Sequence, residues 1–90
     1  MATVRLAPVL RPSVGGVKQV SAKGETLAAV LDDLYVNYPA LKEQIQSGGQ
    51  LSRFINIYVN DQDIRHLQGL ETSVGPTDTV ILLPAMAGGR

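Results

Sequence analysis

At 90 residues the chain allows one domain with one modest core, and a 44% hydrophobic content suits a folded body and not a disordered one. Eight basic and eight acidic residues cancel, and the cations (Arg5, Arg11, Lys18, Lys23, Lys42, Arg53, Arg65 and Arg90) are scattered, so no concentrated positive surface for nucleic acid is expected. With no cysteine, one histidine, no apolar run of bilayer length and no N-terminal signal pattern, the sequence excludes disulfides, thiolate metal sites and a cysteine nucleophile, and it predicts a cytoplasmic protein with no membrane partner.

Residues 3–8 alternate apolar and polar and predict a strand with Val4 and Leu6 on one side. Pro8 and Pro12 then discourage sheet pairing, and Gly15-Gly16 mark a turn. Residues 17–22 are a second strand, paired with the first as a hairpin with a long connection. The clearest helix signal covers residues 26–38, where Leu27, Val30, Leu31 and Leu34 share one face. Gly24 breaks the preceding strand, Thr26 is placed to cap, and Pro39 stops or kinks the helix. A short helical extension carries Leu41 and Ile45 and ends at Gly48-Gly49.

Residues 53–60 are the strongest strand. Ile55, Ile57 and Val59 belong to the core, and Phe54, Asn56, Tyr58 and Asn60 to the other face. The run 60–63 is turn chemistry. Residues 64–67 are expected to form a short edge strand, and Gly69, Gly75 and Pro76 a loop. Residues 79–83 form a last strand, expected to be fully or mostly buried. The order β-β-α-β-β-β places one amphipathic helix on a sheet, with the first and last long strands adjacent at its centre. The expected fold is α+β, a β-grasp (ubiquitin-like) domain over residues 1–84 with a mixed four- to five-stranded sheet packed on one main helix. A C-terminal Gly-Gly tail occupies residues 85–90.

Pro84 ends the ladder, because it has no N–H to donate. Beyond it lie small residues and two glycines, a composition that predicts a mobile segment. A frayed end is the ordinary reading of such a segment. Ala87, Gly88 and Gly89 also suit a narrow channel in which a Cβ would clash, the requirement when a protein's terminal carboxylate must reach the α-phosphate of ATP. The resulting acyl-adenylate is open to a sulfur or amine nucleophile.

The runs Leu10-Arg11-Pro12, Gly24-Glu25-Thr26-Leu27, Arg53 through Asp61, Asp63-Ile64-Arg65 and Leu83-Pro84-Ala85-Met86-Ala87-Gly88-Gly89 together resemble the ThiS/MoaD family of ubiquitin-like sulfur carriers, and within it the CysO-type carriers of cysteine biosynthesis. The resemblance covers nearly the whole chain. It implies that Gly89 is adenylated, with ATP and Mg²⁺ used by a MoeB/ThiF-type activating enzyme, and then becomes a thiocarboxylate. It implies no catalysis by the carrier itself and no bound cofactor or metal. The sulfur would pass to an aminoacrylate on a pyridoxal-phosphate (PLP)-dependent cysteine synthase, and a metallopeptidase would release cysteine. In the MoaD branch the partner is instead the large subunit of molybdopterin synthase. A third role for such a chain is a protein modifier joined through Gly89 to lysines.

Arg90 departs from the family pattern, which ends at the second glycine. Its presence is met by peptidase removal, by a residue added for expression, or by loss of carrier chemistry; removal is the expectation. Phe54 and Tyr58, extended by Ile81 and Leu83 if these face outward, make a partner-docking patch, the alternative being cover by neighbouring loops. The remaining signals favour plain structural roles. Gly15-Gly16-Val17-Lys18 lacks P-loop spacing and a following helix. Asp61 and Asp63 lack the glycine of a calcium loop, His66 being in its place. His66 has no partner cysteine or second histidine for a metal. Asp32 and Asp33 diverge on a polar helix face, and Lys18, Lys23 and Lys42 serve solubility.

Overall fold

The computed structural model describes residues 1–47, 50–51 and 55–84. Strand β1 (Ala2–Leu6) buries Ala2, Val4 and Leu6 and turns Arg5 outward. A 3₁₀ helix over Pro8–Val14 then fills the long connection; the prolines that bar sheet pairing are compatible with its tight turns, and it buries Leu10 and Val14. Gly15, at φ 78°, closes it in the left-handed conformation that glycine adopts without a Cβ penalty. Strand β2 (Gln19–Ala22) returns antiparallel to β1, with Ala2 opposite Ala22 and Arg5 opposite Gln19.

Helix α1 (Leu27–Asn37) begins where expected. The Thr26 hydroxyl accepts the Ala29 N–H at 3.2 Å, satisfying one of the unpaired amides of the first turn. Leu27, Val30, Leu31 and Leu34 form its buried face. Gly24 sits against it so closely that a Cβ there would lie 2.6 Å from the Val30 nitrogen, which admits no side chain. Pro39 opens a separate helix, α2 (Pro39–Ile45), after a break at Tyr38, and α2 buries Leu41 and Ile45 completely. A two-residue pair follows, β3 (Gln46–Ser47) with β4 (Gln50–Leu51).

Strand β5 (Ile55–Val59) leads through a tight turn to β6 (Gln62–Asp63). Asn60 and Asp61 take φ 51° and 71°, the two positive values that match a hairpin turn to the twist of its strands. The expected edge strand over 64–67 is not formed; Ile64–His66 is a 3₁₀ turn. Asp63 caps it by accepting the Arg65 N–H at 2.8 Å, and the turn drives Ile64 into the core, which a flat edge strand would not do. The following loop carries another 3₁₀ turn over Gly69–Glu71 and is fastened to α1, where Leu27 N–H donates to Thr72 O and Val74 N–H to Glu25 O, both at 2.9 Å.

Strand β7 (Thr79–Pro84) inserts between β1, to which it is parallel, and β5, to which it is antiparallel. The five-stranded order is β2-β1-β7-β5-β6, the mixed β-grasp sheet on its main helix. The last strand is less buried than its apolar run suggests. Val80 and Leu82 are fully buried, but Ile81 is half-buried and Leu83 exposed, because the helices cover one face of the sheet. Among the described residues Pro84 is the last paired one, opposite Ile55. Side chains such as Leu27, Leu34, Leu41, Ile57 and Leu82 form the core, each contributing about 1.5–3 kcal/mol by leaving water.

Candidate functional site

Of the residues singled out in the sequence, Phe54, Ala87, Gly88, Gly89 and Arg90 lie outside the described residues. Tyr58, Ile81 and Leu83 lie within them, and the fold brings them together. Strand register puts Ile81 directly opposite Tyr58 on one side and Arg5 on the other, and puts Leu83 opposite Asn56. Successive side chains on a strand alternate, so burial of Ile57, Val80 and Leu82 forces Tyr58, Ile81 and Leu83 to the uncovered face. That face leads along β7 to Pro84, beyond which residues 85–90 begin.

One flank of the patch is fixed by polar contacts. Arg65 donates from Nη2 to Asn56 Oδ1 at 2.6 Å and to Asp63 Oδ2 at 2.8 Å, and from Nε to Asp63 Oδ1 at 3.1 Å. This fork bridges β5 and the turn after β6 beside Tyr58, whose register partner is Asp63. The Arg65 side chain, with its N–H, holds the Asp63 carboxyl down at about 2, and Asp63 in turn raises the guanidinium. The start of β7 is fixed as well. Asn60 donates to Asp78 Oδ1 at 2.8 Å and accepts the Thr79 N–H at 3.0 Å, while Gly75 N–H donates to Asp78 Oδ2 at 2.7 Å. The Gly75 amide, then Asn60, lowers the Asp78 carboxyl below its usual value. Tyr58, Ile81 and Leu83 thus form a partly exposed apolar patch on strands fixed at both margins.

Sequence reasoning did not reach Arg5, Asp63 and Arg65 as members of this face. The alternation of Arg5 with Val4 and Leu6 carried the signal for the first. The other two depend on the tight turn at Asn60-Asp61, whose register is not readable from composition.

The chain matches the ThiS family over residues 4–89. It is 50% identical to the sulfur carrier protein CysO of Mycobacterium tuberculosis, the alignment covering 97% of each chain. Among solved structures it superposes on a chain of the Amycolatopsis orientalis BexX/CysO complex with a TM-score of 0.89 at 43% identity, covering 99% of this chain and 100% of that one. It also superposes on the small archaeal modifier protein 1 of Methanosarcina acetivorans with a TM-score of 0.88 at 37% identity, covering 98% and 95%.

Proposed function

The chain belongs to the ThiS family, and from that premise we propose that it is a sulfur carrier of cysteine biosynthesis whose working group is the carboxyl of Gly89. The observation that carries this reading is the extent of the family match, which runs through the folded body and ends at Gly89. The 50% identity to a CysO sulfur carrier supports the cysteine branch. The carrier is a substrate and not an enzyme. Its folded body docks and presents residues 85–89 to cytoplasmic partners that do the chemistry.

Gly89 is followed by Arg90, so its carboxyl is held in a peptide bond. Hydrolysis of that bond frees a carboxylate. One carboxylate oxygen attacks the α-phosphorus of ATP, bound with Mg²⁺ by a MoeB/ThiF-type enzyme, and pyrophosphate leaves. A sulfide equivalent attacks the acyl carbon, AMP leaves, and Gly89 ends in a thiocarboxylate. The thiocarboxylate sulfur forms a C–S bond to a three-carbon acceptor on a PLP-dependent synthase while the product stays joined to the Gly89 acyl carbon, and hydrolysis by a metallopeptidase then frees cysteine and regenerates the Gly89 carboxylate. Tyr58, Ile81 and Leu83, with Phe54, supply the docking surface, and the small residues Ala87 and Gly88 thread the channel.

The test is intact-mass measurement. A form ending at Gly89, incubated with ATP, Mg²⁺, a MoeB/ThiF-type enzyme and a sulfur donor, exchanges one oxygen for sulfur, whereas the form retaining Arg90 does not until it is trimmed. Deleting Gly89 abolishes the exchange and leaves the fold intact. An unchanged mass under conditions that modify a known carrier would overturn the reading. Likeness to a small archaeal modifier protein supports a second role, conjugation through Gly89 to lysines; isopeptide-linked adducts in cells would reveal it. Stable copurification with a large molybdopterin-synthase subunit would instead assign the chain to that enzyme.

A further inference from the structure

Three of the chain's eight cations, Arg5, Arg11 and Lys18, carried by β1 and the connection to β2, converge at the end of β7 from which residues 85–90 leave. They line a groove of about 280 Å³ together with the outward side chains of Ile81 and Leu83, while Leu6, whose side chain is buried in the core, meets the groove through its backbone. Leu6 gathers them. Arg5 precedes it in β1, its carbonyl accepts from Arg11 Nε at 3.1 Å, and its N–H donates to the Lys18 carbonyl at 3.0 Å. None of the eight acidic residues lines the groove. Among the described residues the one ion pair, Arg65 with Asp63, lies past β6 at the far side of the sheet. A chain of zero net charge therefore carries a local cluster of positive charge beside the root of its tail.

The walls indicate what kind of anion fits. Phosphate sites built from backbone use successive free N–H groups. Here the Leu6 N–H is taken by Lys18 O, the Ala7 N–H by Leu82 O at 3.1 Å, and Pro8 has none. What remains is long cationic side chains, whose stems lie well against apolar neighbours, above Ile81 and Leu83. That combination suits carboxylate side chains flanked by apolar ones. This apolar part of the groove is also shared with the exposed face of β7, so a protein seated on Ile81 and Leu83 reaches the groove without a second contact area.

We propose that the groove receives an acidic, apolar-flanked segment of the activating enzyme and thereby sets the carrier's orientation as its tail enters the enzyme. The identity of that partner rests on the sulfur-carrier reading, whereas the chemistry of the groove does not. Charge pairs at an interface rim act mainly on encounter and register, so the groove governs KM for the carrier and leaves the chemical step alone.

Thiocarboxylate formation on the form ending at Gly89 tests this. Arg5→Glu with Lys18→Glu, both at exposed positions, raises KM for the carrier about tenfold with kcat unchanged, and the neutral pair Arg5→Gln with Lys18→Gln raises it less. Salt raises the wild-type KM and has little effect on the reversed variant. Lys23→Glu with Lys42→Glu, an equal change in net charge elsewhere, leaves KM unchanged. An unaltered KM in the groove variant, or an equal rise in the control, overturns the proposal. Failure of the wild-type carrier to be modified at all refutes the sulfur-carrier reading instead, and NMR titration then decides the groove. A peptide alternating Asp and Leu shifts the amides of Arg5, Leu6, Arg11, Lys18, Ile81 and Leu83, and its Asn-Leu counterpart does not. No shift with the acidic peptide, or the same shifts with inorganic phosphate, overturns it.

Discussion

Strands β5 and β7 have two faces made from interleaved residues of the same few turns of chain. On the inner face Ile57, Val59, Val80 and Leu82 are between 0% and 5% exposed and belong to one core with α1 and α2. On the outer face Tyr58 and Ile81 are half-buried and Leu83 is 38% exposed, with Arg5 on one side and Asp63 and Arg65 on the other. The inner face is aliphatic throughout, whereas the outer face mixes the aliphatic Ile81 and Leu83 with Asn56, Tyr58 and Thr79. The faces differ in cover as well. Helices bury the inner set permanently, whereas the outer set lies uncovered and, on the docking role proposed above, is covered only while a partner is bound. A carrier that must dock and leave repeatedly needs this separation, because an interface shared with the core would tie its stability to each encounter.

Substitutions can break or sharpen that contrast. The largest effect is expected inside: Leu82→Ala removes a fully buried side chain from the central strand and should cost about 2–5 kcal/mol, read as a lower urea midpoint. A loss well under that range would mean that the inner face tolerates collapse. One residue further on, Leu83→Ser should leave stability within about 0.5 kcal/mol and raise KM for thiocarboxylation about fivefold. A variant that unfolds, or transfers normally, would erase the distinction between the faces. The smallest effect belongs to the polar flank. Asp63 titrates at about 2, below the usual carboxylate value, because Arg65 stabilises its charged form. The stability it adds is therefore present above the ordinary carboxylate range and is lost as pH falls toward 2. In Arg65→Ala its NMR titration should move up into the ordinary range and the acid limb of the stability curve should flatten; an unmoved titration would show that the fork is not what holds the carboxyl down.

The sequence made the inner face legible because burial leaves a periodic mark. Val4 and Leu6, the heptad-like spacing of Leu27 through Leu34, and the alternation of Ile55, Ile57 and Val59 each follow from local geometry. Thr26 and Pro39 marked helix boundaries for equally local reasons. The outer face was legible only in part. Tyr58 could be assigned by exclusion from the core, but Ile81 and Leu83 sit in an apolar run that reads as buried, and the relation of all three to Arg5 and Arg65 depends on strand order and register. The 3₁₀ turns at Pro8–Val14 and Ile64–His66 left no period to detect. Arg5, Arg11 and Lys18 looked scattered because the connection that gathers them is made through one backbone residue, Leu6. Family likeness, and not periodicity, singled out Gly89.

The central position of β7 also bears on how the protein is made. It is the last of the described strands to be synthesised, yet it joins β1 to β5, so until residues 79–84 have emerged the sheet exists as two unconnected halves. Contacts between β1 and β7 span most of the chain, and such long-range pairing forms late. A ribosome-bound fragment that stops short of β7 has no complete core to close. Folding is thus coupled to the emergence of residues 79–84, and a chain terminated before them is left as a substrate for proteolysis instead of persisting as a folded body without a tail to offer.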